Sequence, residues 1–284
     1  MPAGGQQAFR SGVDLVTFGA TVVDLKGELI RDLTPDDFEV LEDGKSQTLR
    51  FYAAGDGAAA PVLHLGLLLD AFGSMVSDMK LAQSAAIKFL NLLPESQDIT
   101  LVDFDTQVRI TRYPQRDFPR LVERIRQRKP DGWTALDDAL GTYLDGVDQD
   151  QGRRILVMYT DGADSRSVLK LDETLTLLKA SPVTVYAIGL VQNTGSYRQH
   201  LQMTMMQLVE VTNGQAFFPS SMKEVESAYE QVLAQIKGQY HLGYLSANTA
   251  TDGAWRKVAI KVTRPGARVR ARKGYFAPYK TSQK

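Results

Sequence analysis

Cysteine is absent from all 284 residues. That single absence excludes disulfides, thiolate nucleophiles, iron–sulfur clusters and thiolate zinc sites, and leaves metal chemistry to oxygen ligands and the few imidazoles. Histidine is scarce: His64, His200 and His241 are scattered, without the i, i+4 spacing of a zinc helix or an acidic neighbour in sequence. Each is expected to be structural or on the surface. No apolar run approaches the roughly 20 residues of a membrane helix, so no membrane span is expected. The opening MPAGGQQAFRSG lacks the basic-then-apolar pattern of a signal peptide. Also missing are a Gly-x-Gly-x-x-Gly turn after the first apolar strand, a phosphate-loop Gly-Lys-Ser/Thr and a Gly-x-Ser-x-Gly elbow. Ser74 follows Gly73 without a plausible base. The expectation is therefore a chain with no catalytic residues; a hydrolase using a bound cation to activate water is the weakest reading. Met203, Met205 and Met206 fall in one helical segment and read as core filler.

What is present is an ordinary globular composition, 43% hydrophobic and 23% charged, with 33 basic and 33 acidic side chains. The neutral total is unevenly spread. Residues 1–60 carry ten acids against five bases, whereas from Trp255 onward there are ten bases and no acid. Arg268, Arg270 and Arg272 alternate with Val269 and Ala271, which puts them on one face of a strand. That pattern reads as a solvated face lying near the acidic N-terminal segment. No interleaved aromatics support nucleic-acid binding, and none is expected.

The character of the chain changes twice. Residues 1–60 read as a β segment: Val13–Leu25 is rich in β-branched residues, and Asp43-Gly44 between Phe38–Leu41 and Gln47–Tyr52 is a hairpin turn signal. Gly55–Pro61 is a junction of small residues closed by proline. Over 61–237, strand and helix alternate. Leu63–Asp70 and Arg154–Thr160 are nearly continuous apolar runs, as required of strands buried on both faces of a parallel sheet. The pattern predicts an α/β fold, a doubly wound and mostly parallel sheet with helices on both faces. Residues 238–284 return to β, with strands expected at Tyr240–Leu245, Arg256–Thr263 and Arg268–Phe276. Neither β flank has enough strands to bury a face alone. The two are expected to pair into one small sheet or sandwich, with the α/β domain inserted between them.

Ligands of open α/β sheets bind outside the carboxyl ends of the strands. Three segments reaching that edge carry matching residue types: Asp70-Ala71-Phe72-Gly73-Ser74-Met75, Gly132-Trp133-Thr134 and Thr160-Asp161-Gly162. Two carboxylates and accompanying hydroxyls suit a hard, oxygen-seeking cation such as Mg²⁺, with Mn²⁺ or Ca²⁺ as alternatives.

On these residues the chain resembles the von Willebrand factor type A family, whose metal-ion-dependent adhesion site reads Asp-x-Ser-x-Ser, then Thr, then Asp. Asp70, Ser74, Thr134 and Asp161 match it, and the order of strands and helices fits from Pro61 to Lys237. The flanks DGKSQTLRFY and ARKGYFAPY resemble a related group frequent in acidobacterial genomes. The resemblance implies a non-enzymatic adhesion or scaffold module whose cation is completed by an acidic side chain of a protein partner. It also implies an extracytoplasmic location. One position departs: Phe72 stands where the family has its first serine and can donate no oxygen. Mg²⁺ demands near-ideal octahedral geometry, so binding weaker than the family's is expected. Two readings stand side by side, a working cation site and a degenerate one kept as a turn. Trp133 beside Thr134 adds a second aromatic: with Phe72 it either forms an apolar rim for a protein partner or packs locally over the weakened site.

Overall fold

The computed structural model describes residues 15–70, 79–93, 96–104, 108–127, 135–146, 152–160, 164, 166–189 and 195–279. Its centre is a six-stranded sheet built from β5 (Leu63–Asp70), β6 (Ser96–Phe104), β7 (Val108–Pro114), β8 (Arg153–Thr160), β9 (Val183–Gly189) and β10 (Gln215–Phe217). The spatial order is β10-β9-β8-β5-β6-β7, parallel throughout except for β7, which runs antiparallel to β6. The alternation of β5 explains its nearly continuous apolar run. Leu63, Leu65, Leu67 and Leu69 enter a core with helices α1 (Met79–Leu92), α2 (Phe118–Gln127) and α6 (Met222–Gly238). Leu68 enters the opposite core, with α3 (Leu136–Asp145), α4 (Leu171–Ala180) and α5 (Gly195–Glu210). The α/β class read from the sequence is the class observed.

The two ends of the chain interleave. β1 (Leu15–Val23) lies between β11 (Tyr240–Leu245) and β13 (Arg268–Ala271), with β4 (Leu49–Ala54) completing that sheet on the far side of β11. A second antiparallel sheet has the order β14-β12-β2-β3, from Gly274–Phe276, Trp255–Val262, Phe38–Glu42 and Lys45–Gln47. Side chains of both sheets, including Phe18, Val22, Phe38, Val40, Tyr240, Tyr244 and Val258, share one core. The Asp43-Gly44 turn between β2 and β3 has φ 48° and 81°, the doubly left-handed backbone of a two-residue hairpin that Asp-Gly admits. Oppositely charged residues of the two ends meet at the surface, Arg264 with Asp32 at 2.6 Å and Lys261 with Glu39 at 3.2 Å.

Three expectations need correction. The segment Arg268–Phe276 is not one strand. It leaves the first sheet after Ala271 and joins the second at Gly274, which delivers the Tyr275 hydroxyl to a buried carboxyl, Glu42. Second, its arginines are not all solvated. Arg268 is exposed, but Arg270 Nη1 and Nη2 donate to Gln215 Oε1 and Gln235 Oε1, both at 2.6 Å, and Arg272 Nη2 donates to the Lys179 carbonyl at 2.8 Å. These side chains bolt the terminal sheets to β10, α6 and the end of α4. Third, only Met205 is core; Met203 and Met206 are 57% and 46% exposed on α5.

Polar groups are buried where the sheets join. Glu42 is 2% exposed and accepts from the hydroxyls of Tyr244 (2.8 Å), Tyr275 (2.9 Å) and Ser246 (2.6 Å). His241, on β11, is buried against Arg153, whose Nη1 lies 3.3 Å from His241 Nε2 and donates to the Ile236 carbonyl at 2.9 Å. Burial, with the Arg153 charge second, pushes the His241 imidazole down to about 4. His64 has an acidic partner after all: its Nδ1 is 2.9 Å from Asp98 Oδ2, 34 residues away in sequence. His200 is exposed on α5.

Candidate functional site

The chain enters the central sheet at β5, adds β6 on one side through α1, and later adds β8 on the other side after α3. The direction of strand addition therefore reverses between β5 and β8, and the carboxyl ends of those two strands flank the topological switch point where open α/β sheets bind ligands. Asp70 is the last residue of β5 and Thr160 the last of β8. Both are buried, at 4% and 0% exposure, and the Thr160 hydroxyl donates to Asp70 Oδ2 at 2.8 Å. A carboxyl thus sits at the switch point, oriented by the neighbouring strand.

Of the residues singled out in the sequence, Asp70 ends β5. Phe72, Ser74, Trp133, Thr134 and Asp161 lie outside the described residues. Chain connectivity brackets three of them: Phe72 and Ser74 follow Asp70 directly, and Asp161 follows Thr160. Among the described residues, no group of three or more His, Asp or Glu side chains is placed to hold a metal ion.

Four acidic or hydroxyl residues beside this edge escaped the sequence reading. Asp164 and Ser167, from the segment after β8, meet Asp137 and Asp138 at the start of α3. The Asp137 amide donates to Asp164 Oδ2 at 2.8 Å, and the Asp138 amide donates to Ser167 Oγ at 3.0 Å. Their legible signal was the polar run Asp164-Ser165-Arg166-Ser167, because Asp and Ser side chains cap nearby backbone amides in turns and at helix starts. Asp137 itself is 9% exposed, and its Oδ1 has no hydrogen-bond partner among the described residues. Burial pushes its carboxyl up to about 6, and the charges of Asp164 and Asp138 add to that rise.

The fold is thus a doubly wound α/β sheet with β7 as an antiparallel edge and a buried aspartate at its switch point. The resemblance read from the sequence is shown by comparison: residues 65–163 match the family described as von Willebrand factor type A domain, roughly a third of the chain. None of the curated proteins matches the sequence. Among solved structures, a von Willebrand factor type A protein from Catenulispora acidiphila is similar with a TM-score of 0.53 and 11% identity, over 96% of this chain and 76% of that one. The pilus adhesin SpaC from Lactobacillus rhamnosus GG, in its open conformation, has a TM-score of 0.52 and 10% identity, over 88% and 49%. Proximal thread matrix protein 1 from the mussel byssus, with a zinc-occupied MIDAS motif, has a TM-score of 0.51 and 16% identity, over 69% and 49%. The chain thus spans about half the length of the last two. At these identities the likeness is one of fold.

Proposed function

We propose that this chain is a non-enzymatic protein-interaction module, of the adhesion or scaffold kind, that binds its partner at the carboxyl ends of β5 and β8. The observation that carries the reading is the buried Asp70 carboxyl at the switch point, held by Thr160. The imidazoles that could serve a hydrolytic site lie elsewhere: His64 at the opposite end of β5, His241 between the terminal sheets and β8, and His200 on the outside of α5. The pilus adhesin and byssus matrix protein that share the fold support a role in binding and a location outside the cytoplasm.

The donor set fits a hard cation in kind. Asp70 and Asp161 offer carboxylates, Ser74 and Thr134 hydroxyls, and Phe72 withholds the oxygen that the family pattern has there. When bound, Mg²⁺ or Mn²⁺ supplies a positive centre for an acidic side chain of the partner. The chain's own residues do the rest. Asp70 anchors the site from the rigid strand end, the Thr160 hydroxyl fixes the direction of its Oδ2, and Phe72 and Trp133 line an apolar rim against which the partner packs. Loss of one donor leaves water to complete the coordination, so affinity is low.

Calorimetric titration of Mg²⁺ and Mn²⁺ into wild type and Phe72→Ser tests this. The expected result is weak binding heat from wild type and affinity about tenfold or more higher in the variant, the range found for conserved partners of metal ligands. Heat from Phe72→Ser alone moves the function to a metal-independent partner contact through Phe72 and Trp133. No heat from either protein overturns the cation reading.

A further inference from the structure

We propose that the outer face of α5 carries a soft-metal site in which Met203, together with His200 or Met206, binds one Cu(I) ion. This site stands apart from the cation reading above, because the two use donors of opposite character.

The methionines of α5 divide between its two faces. Leu201, Met205, Leu208 and Val209 recur at i, i+4, i+7 and i+8 and enter the core beneath the helix. The Met205 thioether is committed there: its Sδ lies 2.6 Å from where a Cβ on Gly189 would stand, so it fills the space this glycine leaves. At about 100° per residue, Met203 points directly away from that buried face. His200 and Met206 flank it, roughly one turn before and one turn after. Met203 is 57% exposed, Met206 is 46% exposed, and His200 is exposed as well. The burial that accounts for Met205 does not account for this pair.

Two i, i+3 pairs, His200–Met203 and Met203–Met206, share Met203. Cβ atoms so spaced are about 5–6 Å apart, a gap that an imidazole nitrogen and a thioether sulfur, or two thioethers, can close around one ion. Thioether sulfur is a soft donor that selects Cu(I), whereas Mg²⁺, Ca²⁺ and Mn²⁺ take oxygen. Cu(I) has a filled d shell and accepts two donors in line, so no third side chain is needed. The chain has no cysteine, so no thiolate competes and thioethers are the softest donors it offers. Oxygen donors on the same face are poor rivals: Glu210, one turn beyond Met206, is paired with Lys273 at 3.3 Å, and Gln199 and Gln207 are neutral amides. The other two imidazoles are engaged elsewhere, His64 by Asp98 and His241 by Arg153. A helix packed along its opposite face presents the donors from a rigid support.

The test follows the methyl resonances of methionine-methyl-labelled protein during anaerobic Cu(I) titration, with affinity read by competition against bathocuproine disulfonate. The expected result is uptake of one ion, with shifts at Met203 and Met206 and none at Met205, the control on the same helix. Met203→Leu removes both pairs while keeping size and helix propensity. It is expected to weaken Cu(I) affinity about a hundredfold or more, the gain that linking two donors provides. His200→Gln and Met206→Leu each leave one pair and are expected to cost no more than about tenfold; the two combined bring the loss to that of Met203→Leu. Met205→Leu leaves affinity unchanged. Positions 200, 203 and 206 are exposed, so their variants keep the wild-type melting temperature. Unchanged affinity in Met203→Leu overturns the proposal, as does an equal loss in Met205→Leu. Shifts of equal size at methionines throughout the chain, the mark of adventitious thioether binding, overturn it too, and so does wild-type protein that takes up no Cu(I).

Discussion

Replacing Glu42 by alanine is expected to lower the free energy of unfolding by about 3 to 5 kcal/mol, since hydrogen bonds to a charged acceptor contribute about 1.5 to 3 kcal/mol each and several are lost at once. Glu42 is 2% exposed, and its two oxygens receive three hydroxyls drawn from β11, the residue after it, and β14. Tyr244 is completely buried, so once the carboxyl acceptor is gone its hydroxyl has no water to turn to and is left with the Tyr275 hydroxyl alone; a buried donor that loses its acceptor costs about 1 to 3 kcal/mol. Ser246 loses less, since its Oγ also lies 3.2 Å from the Asn248 carbonyl. Glu42→Gln retains an acceptor and is expected to cost roughly half as much. Urea denaturation at pH 7 measures both, with an unchanged slope showing that the variants unfold as one unit. Adding Tyr244→Phe to Glu42→Ala should then cost little more, because the interaction it removes is already broken. A loss below about 1 kcal/mol in Glu42→Ala contradicts the network's role.

A second large effect concerns acid, where two buried groups titrate in opposite senses. His241 has a folded pKa of about 4 against an ordinary 6.5. Between those values the unfolded chain binds a proton that the folded chain refuses, so stability falls as pH drops. Asp137 has a folded pKa of about 6 against an ordinary 3.8. Over that window the folded chain holds the extra proton, so stability rises as pH drops. Each slope is about 1.4 kcal/mol per pH unit, and between pH 4 and 6 they largely cancel. Asp137→Asn is expected to gain about 2 to 3 kcal/mol at pH 7 and to expose the His241 slope, losing about 3 kcal/mol between pH 6.5 and 4. His241→Gln exposes the other slope and is more stable at pH 4.5 than at pH 7. Urea titrations across pH 4 to 8 decide the matter. Parallel profiles for wild type and Asp137→Asn contradict the assignment.

What the sequence makes legible differs by kind of contact. β5 was legible because a strand buried on both faces is apolar along nearly its whole length, and Asp70 stood out as a carboxyl ending such a run. The β2–β3 hairpin was legible in Asp43-Gly44, where local backbone chemistry decides. The joining of the two ends followed from each having too few strands to close a core. Contacts set by strand order were not legible. Thr160 meets Asp70 only because β8 lies beside β5, and His64 meets Asp98 only because β6 lies on the other side. Arg270 and Arg272 alternate along the chain as solvated residues would; only their neighbours, Gln215, Gln235 and the Lys179 carbonyl, make them a junction. The split of the last strand escaped for a related reason, since β-branched alternation does not say which of two sheets a strand joins.

The claim that Asp70 anchors a cation weakened by Phe72 is tested most directly by Mn²⁺ titration of Phe72→Ser and Phe72→Ser/Asp70→Ala. The account predicts tight uptake by the first and a loss of about a hundredfold or more in the second, with both proteins folded. Equal Mn²⁺ affinity in the two would contradict it.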